Sequence, residues 1–149
     1  MRTVVVESPY AGDIERNTRY ALFCLHDCIV NHNEAPFASH LLYTQPNVLE
    51  DEGERVVGQD TKYRQLGIDA GLEWSKQADA TVVYTDIGMS RGMQYGIDFA
   101  LKLGRPIEYR HLPEHLWVEF EKIRFAYDQP NDRPAMGEVI LKKEKKADA

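Results

Sequence analysis

Ser90, Gly92, Met93 and Gly96 fall within one short stretch, Ser90-Arg91-Gly92-Met93-Gln94-Tyr95-Gly96, just after the apolar run Thr81-Val82-Val83-Tyr84-Thr85. A hydroxyl and two glycines where a strand opens into a helix let backbone N–H groups approach an anionic or sugar ligand closely. The same kind of junction occurs near the start of the chain. There Thr3-Val4-Val5-Val6 leads into Glu7, Ser8, Tyr10, Gly12 and Asp13, with Asn17 one turn into the next helix. Ser39 or His40, and Asp86, complete the set. Hydroxyls, carboxylates, glycines and an aromatic ring gathered at three strand ends suit a polar pocket for a nucleoside or nucleotide. Each residue also has a plainer use. Ser8 and Asp13 serve equally as turn and cap residues, Tyr10 as a packing lid, His40 as a core histidine and Ser90 as a helix cap. Capping and phosphate binding use the same N–H groups, so the two uses of Ser90 are compatible.

The elements that must position these residues alternate. Thr3–Val6 is short and β-branched, as a strand buried on both faces is. Ile14 to about Val30 is helical, with Asp13 as N-cap and an inward stripe of Tyr20 or Ala21, Cys24, Leu25, Cys28 and Ile29. Ala35–Tyr43 is a strand candidate carrying His40, with Pro36 near its start. A polar loop follows from Thr44 to about Gln59 and contains Glu50-Asp51-Glu52. Loops this long are typically lids, binding loops or interfaces. The spacing of Tyr63, Leu66, Ala70 and Trp74 predicts a helix from about Asp60 to Gln77, with Trp74 in the core rather than stacked on a base. Ala80–Thr85 is a strand, Gly92–Leu103 a helix stopped by Gly104-Arg105-Pro106, and Pro106–Arg110 a strand. Pro113 to about Tyr127 reads as a last helix, with Leu116, Phe120, Ile123 and Tyr127 facing the body. Asp128–Pro134 is then a loop. Strands and helices alternating at this spacing predict one open, doubly wound α/β domain of Rossmann or flavodoxin type, over residues 1–141, with a mostly parallel sheet. Residues 142–149 are a charged tail. Ligands are expected beyond the C-terminal ends of the strands.

Composition narrows the partners. The chain has 149 residues, 43% hydrophobic and 28% charged, which is ordinary for a globular domain. A formal net charge of −6 argues against bulk nucleic acid, because phosphate binding needs a basic surface, but permits a small anion held locally. Cys24 and Cys28 lie four apart in one helix with no second cluster, and read as reduced core thiols. His111 and His115 flank Pro113 and make no convincing metal pair. Neither glycine loop matches a dinucleotide fingerprint or a P-loop, so no metal and no cofactor is expected. No apolar run approaches the length of a membrane span and the N-terminus has no signal pattern, so the expected location is cytoplasmic.

Several of these segments together resemble the nucleoside 2-deoxyribosyltransferase-like superfamily, especially its small, often phage-encoded members of unassigned function. They are Ser8-Pro9-Tyr10-Ala11-Gly12-Asp13 with Asn17, Ala35-Pro36-Phe37-Ala38-Ser39-His40-Leu41-Leu42-Tyr43, Gly67-Ile68-Asp69-Ala70-Gly71, Ala78-Asp79, and Ser90-Arg91-Gly92-Met93 with Ala100. The resemblance implies substrate contacts from Ser8, Tyr10, Gly12, Asp13, Asn17, His40, Ser90, Gly92, Met93 and Gly96. It implies chemistry on an N-glycosidic bond, in which a glutamate one turn into the third helix attacks the anomeric carbon, followed by hydrolysis or transfer. It also implies self-association into a homo-oligomer, with Leu116, Trp117 and Phe120 as a candidate contact, although covering the chain's own sheet is the simpler use of that face. For a phage-encoded chain the location would be the host cytoplasm.

This chain departs from that pattern where the chemistry sits. Gly96 stands at the position of the nucleophilic glutamate, and Gln94 and Asp98 lie about 200° around the helix from it. A second family acid falls near Gly71, with Asp69 and Glu73 two residues to either side. Two expectations of different class follow. One is an enzyme with displaced catalytic acids, for which Glu7 and Asp86 are the candidates with Asp13 behind them. The other is a protein that binds or sequesters a nucleotide or nucleotide-derived signal without cleaving it. A third, a structural module retaining only the scaffold, is the weakest.

Overall fold

The computed structural model describes residues 1–49 and 62–125. Four parallel strands, β1 (Arg2–Glu7), β2 (Glu34–Phe37), β3 (Ala80–Tyr84) and β4 (Ile107–Arg110), lie in the order β2-β1-β3-β4. Four α-helices connect or follow them: α1 (Ile14–His32), α2 (Lys62–Ser75), α3 (Arg91–Lys102) and α4 (Glu114–Lys122). The order reverses between β1 and β3. The chain leaves β1 to one side through α1 and returns on the other through α2, so right-handed crossovers place helices on both faces. This is the expected doubly wound α/β architecture. Among the described residues, no helix is long and apolar enough to cross a membrane.

The two faces divide the strand residues by their alternation. Val4, Val6, Val82 and Tyr84 pack with Tyr20, Cys24 and Cys28 of α1 and with Leu116 and Phe120 of α4. Val83 and Ile107 pack with Met93 and Ile97 of α3. Both cysteines are free and buried in the first of these clusters. Trp117 packs against the same cluster, so the Leu116, Trp117 and Phe120 face covers the chain's own sheet. Asp13 caps α1 by accepting from the Arg16 amide at 3.4 Å, and Asn33 closes the helix in the left-handed conformation.

Four sequence expectations are corrected. The second strand stops at Phe37, and Ser39–Leu41 form a short 3-10 turn, η1, so His40 lies outside the sheet. β2 is an edge strand containing Pro36, and it pairs with β1 over only four residues. The stripe of α2 does not face the core: Trp74 is 59% exposed and Leu66 49% exposed. The helix instead turns small residues inward. A Cβ added at Gly71 would lie 2.7 Å from the Ser39 Cβ, and one at Gly67 would lie 3.1 Å from Leu49. That close approach rotates the larger side chains outward. Ile29 of α1 is likewise half exposed, because Tyr20, Cys24 and Cys28 define an inward face that leaves position 29 to one side. The last helix is also shorter than its pattern suggested and ends at Lys122, with Ile123 extended as its C-cap. The Glu50-Asp51-Glu52 run, Tyr127, the Asp128–Pro134 loop and the 142–149 tail lie outside the described residues.

An ion-pair network ties β1, β2 and β4 together. Glu34, nearly sealed from solvent, accepts from Arg2 Nη2 at 2.8 Å and from Arg110 Nη1 and Nη2 at 2.9 and 2.8 Å, while Glu108 accepts from both arginines. Burial alone would raise the Glu34 pKa, but the hydrogen bonds from Arg110 and Arg2 override it and hold the group at about 2. A carboxyl with a depressed folded pKa contributes stability above its unfolded value of 4.5, and loses it as pH falls through 2. Glu34→Gln is therefore expected to lower stability at pH 7 by about 3 kcal/mol, since it takes from both arginines their buried carboxylate and leaves them the more exposed Glu108. It should also flatten the acid limb of a denaturation-versus-pH curve between pH 4.5 and 2. Equal acid sensitivity in the variant would show that Glu34 does not carry this limb.

Candidate functional site

The strand order reverses between β1 and β3, and in open α/β sheets ligands bind in the crevice beyond the C-terminal strand ends at such a point. Glu7 is the last residue of β1 and points to the α3 face, opposite to Val4 and Val6. Its carboxyl presses on α3 at Gly96. A Cβ built on Gly96 would overlap it, lying 2.5 Å from Glu7 Cδ and 2.9 Å from Oε1. A side chain at position 96 would have to push the Glu7 carboxyl aside, and glycine leaves the space that this carboxyl occupies. The Glu7 carboxyl makes no hydrogen bond to any described residue. Burial raises its pKa to about 8, partly opposed by the charge of Arg105, whose guanidinium is itself held by Thr81 Oγ1 and the Ser75 carbonyl. The residue nevertheless keeps part of its surface in contact with solvent.

Next along the chain, Ser8 Oγ and His40 Nε2 share a hydrogen bond of 2.9 Å. The Tyr10 ring meets the imidazole edge-on, with centroids 6.2 Å apart. The loop that carries Ser8 and Tyr10 is braced from below. Asn17, fully buried, donates its amide hydrogens to the Tyr10 and Ala11 carbonyls at 3.0 and 3.1 Å, and Gly12 turns the chain at φ 104°. Asn17 thus positions the loop from beneath. Asp13 uses one carboxyl oxygen as the α1 cap, while its buried Oδ2 has no partner among the described residues.

On the β3 side, Ser90 caps α3. Its hydroxyl accepts from the Met93 amide at 3.2 Å, and its own amide donates to the Met93 sulfur at 3.4 Å. The Arg91 and Gly92 amides stand in the first turn, where a helix has no internal acceptor for them. Met93 is buried beneath that turn and supports it.

Asp86 is placed differently from Glu7. Its Oδ2 accepts from the Tyr20 hydroxyl at 2.6 Å and the Leu112 amide at 2.9 Å, and its Oδ1 meets His111 Nδ1 at 3.1 Å. These bonds fasten the β4–α4 corner to α1, which is a positioning duty. The sequence thus named Glu7, Ser8, Tyr10, His40 and Gly96, which the fold joins by contact. It named Ser39 only as an alternative to His40 and Gly71 only as the place of a second acid, and missed that the two meet and set η1 against α2. Two small residues spaced four apart, Gly67 and Gly71, were the available signal for that close approach.

Among curated proteins none matches the chain. Residues 2–110 match the family model described as Domain of unknown function (DUF7768). That segment runs from the first residue of β1 to the last residue of β4, so it contains the whole sheet and every site residue described above. The chain belongs to this family of unknown function, DUF7768.

Proposed function

We propose that this protein binds a nucleoside or nucleotide in the crevice beyond β1 and β3 and acts on its N-glycosidic bond, with Glu7 as the working carboxylate. The observation that carries the reading is the Glu7 carboxyl lying in the space that Gly96 leaves open. The resemblance to the nucleoside 2-deoxyribosyltransferase-like superfamily puts the nucleophilic carboxylate on α3 at that position. A carboxyl delivered from β1 to the same place can take over its role. A carboxylate without hydrogen-bond partners is poorly supported in the resting protein, and the positive charge that develops at an anomeric carbon supplies what it lacks. In the step itself a Glu7 oxygen bonds to the anomeric carbon as the bond to the base breaks. The electron pair leaves with the base nitrogen, which takes a proton from solvent. Water or a second base then displaces Glu7. The Arg91 and Gly92 amides suit the anionic end of the ligand. We assign Asp86 to positioning.

The test is a library of nucleosides and nucleotides, with binding followed by thermal shift and products by mass spectrometry. A ligand present at a hundredfold excess over its Kd should stabilise the fold by about 2.7 kcal/mol. Ser90→Ala should weaken binding of phosphorylated ligands more than of nucleosides. Release of free base marks an enzyme. Recovery of intact ligand leaves the sequestering protein, which glycine in place of a carboxylate at position 96 of α3 would favour. Absence of any thermal shift across the library overturns both.

A further inference from the structure

The Ser8–His40 pair is built more firmly than a loop contact requires. His40 sits on η1, which is pinned at both ends: Ser39 is pressed against Gly71 of α2, and the His40 carbonyl accepts from Thr44 Oγ1 at 2.7 Å. The ring is held by Ser8 at Nε2 and flanked by Tyr10. Burial pushes its pKa down to about 4, so the imidazole is neutral across the physiological range. A neutral imidazole carries one N–H and one lone pair, and the nitrogen bound to Ser8 decides what the other can do. The other, Nδ1, makes no hydrogen bond to a described residue, and it is absent from the sealed, unsatisfied atoms of the interior. It is a fixed, uncharged hydrogen-bonding group on a half-buried ring just beyond the C-terminal end of β2.

Strand order sets which part of a ligand it would meet. The α3 amides follow β3, Glu7 ends β1, and His40 follows β2, and these three strands are neighbours in the order β3-β1-β2. Adjacent strands are about 4.8 Å apart. A ligand with its anionic end at α3 and its glycosidic bond at Glu7 therefore extends its heterocycle toward His40. An uncharged ring offers a phosphate no Coulombic attraction, whereas it matches a heterocycle nitrogen or amide. We propose that His40, oriented by Ser8, is the residue that reads the hydrogen-bonding edge of the ligand's base. This rests on the nucleoside reading above.

The experiment compares wild type, His40→Phe and Ser8→Ala by calorimetric binding of the common nucleoside 5′-monophosphates and of ribose 5-phosphate. His40→Phe should weaken the preferred nucleotide about tenfold or more and flatten the preference among bases, while leaving ribose 5-phosphate unchanged. Ser8→Ala should shift the same preference in the same direction and less steeply. In the wild-type protein, the nucleotide should move the 15N resonance of His40 Nδ1, a response that a purely structural histidine would not give. Retention of the base preference in His40→Phe overturns the proposal. So does equal weakening of nucleotide and ribose 5-phosphate, which would assign His40 to the sugar. An unmoved Nδ1 resonance in the nucleotide-bound wild type overturns it even where the variant fails to fold. If the wild type binds none of the nucleotides, the nucleoside reading itself falls, which is a different result from binding without a role for His40.

Discussion

Replacing Glu7 with glutamine is expected to remove the fall in stability between pH 5 and pH 8 and, in the same protein, to stop release of free base. The sign follows from burial. The Glu7 carboxyl has an unfolded value near 4.5 and a folded value near 8, so within that window the native state keeps a proton that the unfolded chain has lost. Stability therefore decreases as pH rises through the window and levels off above about 8, by up to about 1.4 kcal/mol per pH unit and about 3.5 kcal/mol between pH 5 and pH 8. Glutamine cannot ionise, so the slope should vanish whatever its amide costs in that site. In a domain of this size the difference amounts to roughly 10 °C in Tm across the window. Glu34 titrates in the opposite sense and below 4.5, which keeps the two limbs separate. On activity, loss of the carboxylate should lower base release about a thousandfold or more. The wild-type rate should rise with pH to a plateau above about 8, because the ionised form is the one that meets the developing positive charge. A rate that falls over this range would instead make Glu7 a proton donor. An unchanged pH–stability slope in Glu7→Gln would remove the buried carboxyl from the account altogether.

How much of this was legible in the sequence depended on how local the cause was. The β-branched run at Val4–Val6, the Asp13 and Ser90 caps and the Gly104-Arg105-Pro106 stop are decided by residues near in sequence, and each gave its element at the right place. The extent of β2 depended on how many residues could pair with β1, and the apolar segment around His40 carries no mark of that limit. Trp74 failed for a related reason. Helical spacing groups Tyr63, Leu66, Ala70 and Trp74 on one side, but which side turns inward was settled by the contact of Gly71 with Ser39. The meeting of Glu7 with Gly96 is a tertiary fact about two distant segments. Its trace in the sequence was a glycine inside an otherwise amphipathic helix, a choice that costs about 1 kcal/mol relative to alanine and so asks for a reason.

That reason makes Gly96→Ala the sharper test of the arrangement. In the wild-type background the added methyl group collides with the Glu7 carboxyl and should destabilise the protein by about 1–3 kcal/mol. It should also lower base release at least tenfold by moving the carboxyl off its position. In a Glu7→Ala background the obstacle is gone, and the same substitution should stabilise the helix by about 1 kcal/mol, the ordinary propensity gain of alanine over glycine. The change of sign is the signature of direct contact, and the double-mutant cycle should give a coupling of about 2–3 kcal/mol. Additive effects would mean that Gly96 is glycine for some other cause. A third variant separates geometry from chemistry: Glu7→Ala combined with Gly96→Glu moves the carboxyl from β1 back onto α3. If the crevice works on N-glycosidic bonds, this swap should recover base release well above the Glu7→Ala level, because the anomeric carbon needs a carboxylate at that point in space and is indifferent to which strand or helix carries it. Binding that survives in every variant while no base is released from any of them, wild type included, would instead identify a crevice that holds its ligand intact, with Glu7 serving as a contact to the sugar.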